Sequence, residues 1–176
     1  MRYFFPLILS LLFLGCVSLG ILPPVLEKII DLKTGKEISF QAFLDDVKEN
    51  IKRLSDLGQV LELGCGTGYF TEVIAQNADH VLATDLSDEL LDNAKKRLNK
   101  IDNITIQKEN CTSISFTSNK FDTVFMANLI HVIKNPSLVL QECYRILKDD
   151  GLLIITSFTN HDMKPLEIIK LGFRFM

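Results

Sequence analysis

Apolar positions recur along this chain in two distinct rhythms. Between residues 40 and 56, Phe40, Phe43, Leu44, Val47, Ile51 and Leu54 fall at helical spacing, which predicts an amphipathic helix closed by Gly58. From Gln59 onward the rhythm changes to short apolar runs separated by longer mixed stretches. Gln59 to Leu63, His80 to Thr84, Ile104 to Gln107, Phe121 to Ala127 and Leu152 to Thr156 read as five strands. The last is nearly continuous in apolar residues, as expected of a strand covered on both faces. Helices are predicted at Tyr69 to Gln76, from Asp88 to about Asn99, from Asn135-Pro136 to about Leu147, and at Asp162 to Leu171. Ser87 can cap the second of these. Asp88 and Glu89 in its first turn and Lys95, Lys96 and Arg97 near its end suit the helix dipole. Pro136 follows Asn135, and proline is favoured at a first helical position. Asp150-Gly151 predicts a turn before the fifth strand. Alternation of this kind predicts an α/β fold, a doubly wound and mainly parallel sheet with helices on both faces.

The first 26 residues break from this pattern. No charged residue occurs from Tyr3 to Leu26, and most positions are Leu, Ile, Phe or Val. About 20 apolar residues span a bilayer as a helix, so residues 1–26 are expected to be an apolar helix and a membrane anchor. A cleaved signal peptide is a second reading, with Arg2 as a basic start and Leu7 to Leu14 as its apolar core. Leu14-Gly15-Cys16 also resembles a lipoprotein cleavage site, although Phe13 fits that pattern poorly. A third reading is a buried or surface-lying helix, disturbed by Pro6 and ended by Pro23-Pro24. Lys28, Lys33 and Lys36 follow the segment, and that bias favours placing the later residues on the cytoplasmic side. Residues 27–39 read as a linker with a turn at Thr34-Gly35-Lys36, and residues 40–176 as the remaining domain.

Composition narrows the function classes. A chain of 176 residues is long enough for one domain with a real core. Its net charge of -3 argues against a phosphate-tracking surface, and no nucleic-acid partner is expected. Cys16, Cys65, Cys111 and Cys143 show no CxxC or Cys/His ligand spacing, so neither a metal site nor a disulfide framework is expected.

The sharpest feature is the loop Glu62-Leu63-Gly64-Cys65-Gly66-Thr67-Gly68, which follows a strand and opens a helix. Glycines there permit a tight turn and let a ligand lie against bare backbone. A P-loop would need Gly-Lys-Ser/Thr, and Gly68 is followed by Tyr69. A dinucleotide fingerprint fits Gly64 and Gly66 but meets Tyr69 at its third position, where a bulky side chain hinders helix–strand packing. A purely structural turn is the remaining reading. Asp85 then ends the second strand, 17 residues after Gly68. A carboxylate can accept from both hydroxyls of a ribose, and NAD-binding proteins use the same device.

Read together, these motifs resemble the class I S-adenosylmethionine-dependent methyltransferases of the small-molecule type, the methyltransferase domain families 11 and 25. Their leading motif, Glu/Asp-x-Gly-x-Gly-x-Gly, is matched from Glu62 to Gly68 without departure. The segment Phe121-Asp122-Thr123-Val124 through Asn128-Leu129-Ile130-His131-Val132 is similar to the fourth strand and Leu-His-His-Val segment of that family, with Ile130 in place of the first His. Arg145-Ile146-Leu147-Lys148-Asp149-Asp150-Gly151 resembles the family's Arg-Val-Leu-Lys-Pro-Gly-Gly turn. The likeness covers about residues 40 to 160.

The resemblance implies a Rossmann-like sheet of order 3-2-1-4-5 and S-adenosyl-L-methionine as cofactor. It places Glu62, Gly64, Cys65, Gly66, Thr67 and Gly68 around the methionine part, Asp85 on the ribose and Leu86 against the adenine. Asn110 stands where relatives often carry an Asp that contacts the adenine amine, and its amide oxygen could still accept. Cys111 and Asn128 complete the implied cofactor set. The sulfonium is already an activated donor, so the protein has mainly to align the acceptor and exclude water. His131 follows a strand's C-terminal end and is the candidate base if the acceptor must lose a proton.

The acceptor is expected to be a small or lipid-like molecule. Only 20 residues follow Thr156, too few for the family's sixth and seventh strands, which makes a partner chain or oligomer a further expectation. Two other functions stay open at this point: a non-catalytic cofactor-binding subunit, and an NAD(P)-dependent dehydrogenase.

Overall fold

The computed structural model describes residues 40–158 and three earlier strand segments, Ser10–Leu11 (β1), Ile29–Asp31 (β2) and Lys36–Ile38 (β3). From Phe40 the chain alternates: α1 Phe40–Lys52, β4 Gln59–Leu63, α2 Thr71–Ile74, β5 His80–Asp85, α3 Asp88–Leu98, β6 Ile104–Lys108, β7 Phe121–Ala127, α4 Pro136–Ile146 and β8 Leu147–Phe158. Six of these strands form one sheet of order β1-β8-β7-β4-β5-β6, in which every neighbouring pair is parallel. Counting from β4, this is the expected order 3-2-1-4-5.

Alternation within each strand sorts side chains onto two cores. On one face Val60, Val81, Ala83 and Phe125 meet Val47 and Ile51 of α1, Val73 and Ile74 of α2 and Leu91 of α3. On the other, Leu61, Leu63, Val124, Met126, Leu153 and Ile155 meet Val139, Cys143 and Ile146 of α4. The crossovers therefore put α1, α2 and α3 on one side and α4 on the other, so the sheet is wound in both directions. Direction reverses at β4, between β5 and β7, and ligands of open α/β sheets bind at such a switch point.

Four expectations are modified. The helix expected over Tyr69 to Gln76 is only Thr71–Ile74, continued as a 3-10 turn over Ala75–Asn77. The turn at Asp150-Gly151 lies inside β8, where pairing jumps from Phe121↔Leu147 to Thr123↔Leu152. The extra residues bulge out, Lys148 pairs with Asp122 at 2.8 Å, and a Cβ on Gly151 would stand 2.9 Å from the Lys148 carbonyl. Within the expected linker, β2 and β3 form an antiparallel pair, Ile29↔Ile38 to Asp31↔Lys36. The apolar helix expected near the amino terminus is not found at Ser10 and Leu11, which are extended and pair with Ser157 and Phe158. The rest of the 3–26 segment and the helix expected at Asp162 to Leu171 lie outside the described residues. Among those described, no helix is long and apolar enough to cross a membrane.

Candidate functional site

The C-terminal ends of β4, β5, β6 and β7 surround a cleft of about 400 Å³, lined by residues from Gly64, Thr84 to Leu86, Glu109 to Thr112, Leu129 and Val132 to Asn135. Pockets for small ligands start near this volume.

The glycine loop is tied to its neighbour strand by main-chain bonds. Gly64 N–H and Cys65 N–H both donate to the Thr84 carbonyl at 2.8 Å, and Gly68 N–H donates to the Cys65 carbonyl at 2.9 Å. Gly66 and Gly68 carry φ of 55° and 78°, a region that side chains disfavour. A Cβ on Gly68 would meet Leu98 Cδ1 at 2.6 Å, so this glycine lets α3 approach. A Cβ on Gly66 would meet nothing within 4 Å, so its bare face looks into open space.

Asp85 joins the loop to the cleft. Its Oδ2 accepts from Gly66 N–H at 3.0 Å and its Oδ1 from Ser87 N–H at 2.9 Å. A carboxylate offers about four acceptor positions, so two remain for a diol. Beside it, Leu86 is 64% exposed and Val132 is 58% exposed, large apolar side chains left uncovered at the lining of the same cleft. Such a pair suits the faces of a flat base better than bulk water.

The other expected residues separate into groups. Asn110 and Cys111 line the cleft, and burial raises the Cys111 thiol above its ordinary range. Glu62, Cys65, Thr67, Gly66, Gly68, Asn128 and His131 do not line it. Glu62 is buried under the loop, where Thr71 Oγ1 donates to its Oε2 at 2.6 Å. Burial pushes its carboxyl up to about 7, with the Thr71 hydroxyl opposing and the Asp85 charge adding to the rise. Cys65 is buried, and burial first, then the Glu62 and Asp85 charges, drive its thiol strongly upward, so it is an inert packing group. Thr67 is exposed. Asn128 adopts φ 54°, held by its N–H on the Thr156 carbonyl at 2.7 Å. Its Oδ1 and the Thr156 hydroxyl are buried without a partner among the described residues. His131 lies in a 3-10 turn, Ile130–Val132, and is exposed, although partial burial of the ring still holds its pKa below the ordinary histidine value.

The Asn110 amide oxygen accepts from Thr112 N–H at 3.0 Å and Thr112 Oγ1 at 2.8 Å, so an incoming amine would compete with the rotatable Thr112 hydroxyl for it. Sequence reading also missed Thr84, Glu109, Thr112, Leu129, Val132, Ile133, Lys134 and Asn135 as lining residues. The signal for the last two was available, since they lead into the Pro136 helix start beyond β7. Behind this wall, Arg145 donates to the carbonyls of Phe116 at 2.7 Å and Ile114 at 2.9 Å, and to Glu142 through Nε and Nη2. Glu142 in turn accepts from Ile114 N–H at 2.8 Å. This network fixes the loop that carries Cys111 and Thr112. Among the described residues no group of His, Cys, Asp and Glu could hold a metal ion.

A switch-point cleft, a glycine loop with an open face and a strand-end carboxylate beside exposed apolar side chains define a nucleoside-binding Rossmann-like domain of the methyltransferase type. Residues 61–155 match the family described as methyltransferase domain, and the chain belongs to that family. It is 29% identical over 114 residues to a demethylmenaquinone methyltransferase of Bacteroides fragilis, covering 62% of this chain and 46% of that one. It is 27% identical over 125 residues to a ubiquinone biosynthesis O-methyltransferase of Actinobacillus pleuropneumoniae, covering 67% and 53%. A solved SAM-dependent methyltransferase from Aquifex aeolicus superposes with a TM-score of 0.55 at 25% identity, over 63% of this chain and 62% of that one. The chain spans about half the length of the curated relatives it matches. The residues present fit S-adenosylmethionine: Asp85 has acceptor capacity for the ribose, Leu86 and Val132 offer apolar faces for the base, and Gly66, bonded to Asp85, has open space on its bare side.

Proposed function

We propose that this chain binds S-adenosylmethionine and transfers its methyl group to a small aromatic acceptor of the quinone-precursor kind. The observation that carries the cofactor half is the 3.0 Å bond between Gly66 N–H and Asp85 Oδ2, which joins the glycine loop and the ribose carboxylate into one cradle. The names of the two curated relatives support the acceptor half, since both act in quinone methylation. The cofactor supplies an activated methyl group. The chain's own residues then have to bind it, align the acceptor and shield the reacting atoms from water.

The test is calorimetric. S-adenosylhomocysteine titrated into the full chain is expected to bind in the micromolar range, and Asp85→Ala is expected to weaken it by about tenfold or more, the equivalent of one charge-assisted hydrogen bond. NADH is the control. Binding of NADH in place of S-adenosylhomocysteine by a folded sample would sink the reading. His131 is the proposed base. Its neutral ring at pH 7 can accept a proton, and it sits one residue before Val132 of the cleft. With a demethylated hydroquinone as acceptor, whose hydroxyl proton the base removes as the methyl group is taken up, His131→Ala is expected to lower kcat by about a hundredfold and leave S-adenosylhomocysteine affinity unchanged. An unaltered kcat would remove His131 from the chemistry.

A further inference from the structure

On the cofactor reading proposed above, the ligand carries a sulfonium and an ammonium against one carboxylate, a net positive charge. Two acids are built into the loop that would receive it. Asp85 holds Gly66 N–H at 3.0 Å, and Glu62 is buried beneath the loop. Glu62 shares the face of β4 with Val60, the face that α1, α2 and α3 cover. The cations of those helices are engaged elsewhere. Lys48 of α1 stands over the Tyr69 ring at 3.7 Å, and Arg97 of α3 bonds Glu72 of α2 at 3.3 Å. From the loop and from β5, the titratable groups that interact with Glu62 are the inert thiol of Cys65 and the carboxylate of Asp85.

Donors to Glu62 are scarce as well. Thr71 Oγ1 donates to its Oε2 at 2.6 Å, and its Oε1 receives no hydrogen bond among the described residues. The loop turns its main-chain donors away: Gly64 and Cys65 N–H go to the Thr84 carbonyl, Gly66 N–H to Asp85 and Gly68 N–H to the Cys65 carbonyl. The Thr84 hydroxyl donates to the main-chain carbonyl of Glu62, not to its carboxyl. A buried carboxyl with one donor and a like charge beside it favours the neutral acid. In the free chain its pKa accordingly stands at about 7. A cation laid along the loop reverses that balance, because a nearby opposite charge favours the carboxylate.

We propose that S-adenosylmethionine binds with release of a proton: the Glu62 carboxyl gives its hydrogen to the buffer, and the carboxylate so formed is the counter-charge to the cationic end of the ligand. Affinity then rises with pH through about 7 and levels off above it. The experiment is calorimetry on the full chain in two buffers of different ionisation enthalpy, which counts the protons exchanged. At pH 6 the wild-type chain is expected to release about half a proton or more per S-adenosylmethionine, and its affinity to increase about tenfold from pH 6 to pH 8. Methylthioadenosine has the same nucleoside without the sulfonium or the ammonium, and is expected to bind with no proton released and no pH dependence. Glu62→Gln is expected to bind S-adenosylmethionine without proton release and with an affinity that no longer varies with pH. Thr71→Val removes the donor that favours the carboxylate, and is expected to move the midpoint of the affinity rise upward by about 0.5 in pH or more. No proton released by the wild-type chain, equal release with methylthioadenosine, release retained in Glu62→Gln, or a midpoint that Thr71→Val leaves in place overturns the proposal, and S-adenosylmethionine binding keeps the cofactor reading standing. Failure of both compounds to bind the folded chain overturns the cofactor reading and this proposal with it.

Discussion

Glu62→Gln is the most informative single substitution, because Glu62 is a charged residue type placed 2% exposed between sheet and helices. Its partners are few: Thr71 Oγ1 donates to one oxygen, and the charge that acts on it is the carboxylate of Asp85, of the same sign. Burial therefore dominates, and the carboxyl rises from an ordinary 4.5 to about 7. The native state then holds a proton that the unfolded chain has already lost between about pH 4.5 and pH 7, so stability falls as pH rises through that window. Above it the folded protein carries a buried carboxylate, and the rise corresponds to a loss of about 3 kcal/mol relative to acid pH. Glutamine retains an acceptor for Thr71 and cannot ionise.

The assay is urea unfolding of the wild-type chain and Glu62→Gln at intervals from pH 5 to pH 9, analysed for the difference between the two proteins. The difference should shift in favour of the variant by about 3 kcal/mol across the range. His131 titrates oppositely, since its depressed pKa makes stability rise with pH, but its contribution is common to both proteins and cancels in the difference. Glu49, Asp122 and Glu142 have lowered carboxyl pKa values, so their effects lie below the window. Parallel stability profiles for the two proteins would refute the reasoning and mean that Glu62 ionises normally in the fold.

Two further substitutions separate stability from binding. Gly66→Ala places a Cβ in open space at φ 55°, so it should cost only about 1–2 kcal/mol of backbone strain while its methyl group intrudes on the ligand. Calorimetry should show S-adenosylhomocysteine affinity reduced by more than about tenfold in a chain that still melts cooperatively, and unchanged affinity would place the ligand elsewhere. Arg145→Met removes the donors to Ile114, Phe116 and Glu142, and amide exchange across residues 111–118 should accelerate by about tenfold or more while β4 and β7 stay protected. Equal acceleration throughout the sheet would show that Arg145 supports the whole fold and not this loop.

β4, β5, β7 and β8 were legible because each carries a short apolar run that the fold buries, and β6 because Ile104 and Ile106 alternate with polar residues. The ends of elements were less legible, for identifiable reasons. Gly68 takes a left-handed conformation to admit Leu98, which delays the start of α2 to Thr71. The Asp150-Gly151 turn became a bulge within β8 because Phe121 pairs with Leu147 before Thr123 pairs with Leu152. That pairing is set by β7, and the sequence of β8 alone does not contain it.

The candidate site divides in the same way. Gly66 and Asp85 are 19 residues apart yet bonded, because β4 and β5 are neighbours and a single helix returns the chain between them. A motif and a spacing single out both residues, and the bond between them is visible only in the fold. What Asn110 and Glu109 do depends instead on the direction the loop takes after β6, which brings Thr112 and Ser115 back onto them. A residue type shows which hydrogen bonds a side chain can make, and only the folded loop shows which of them are already made.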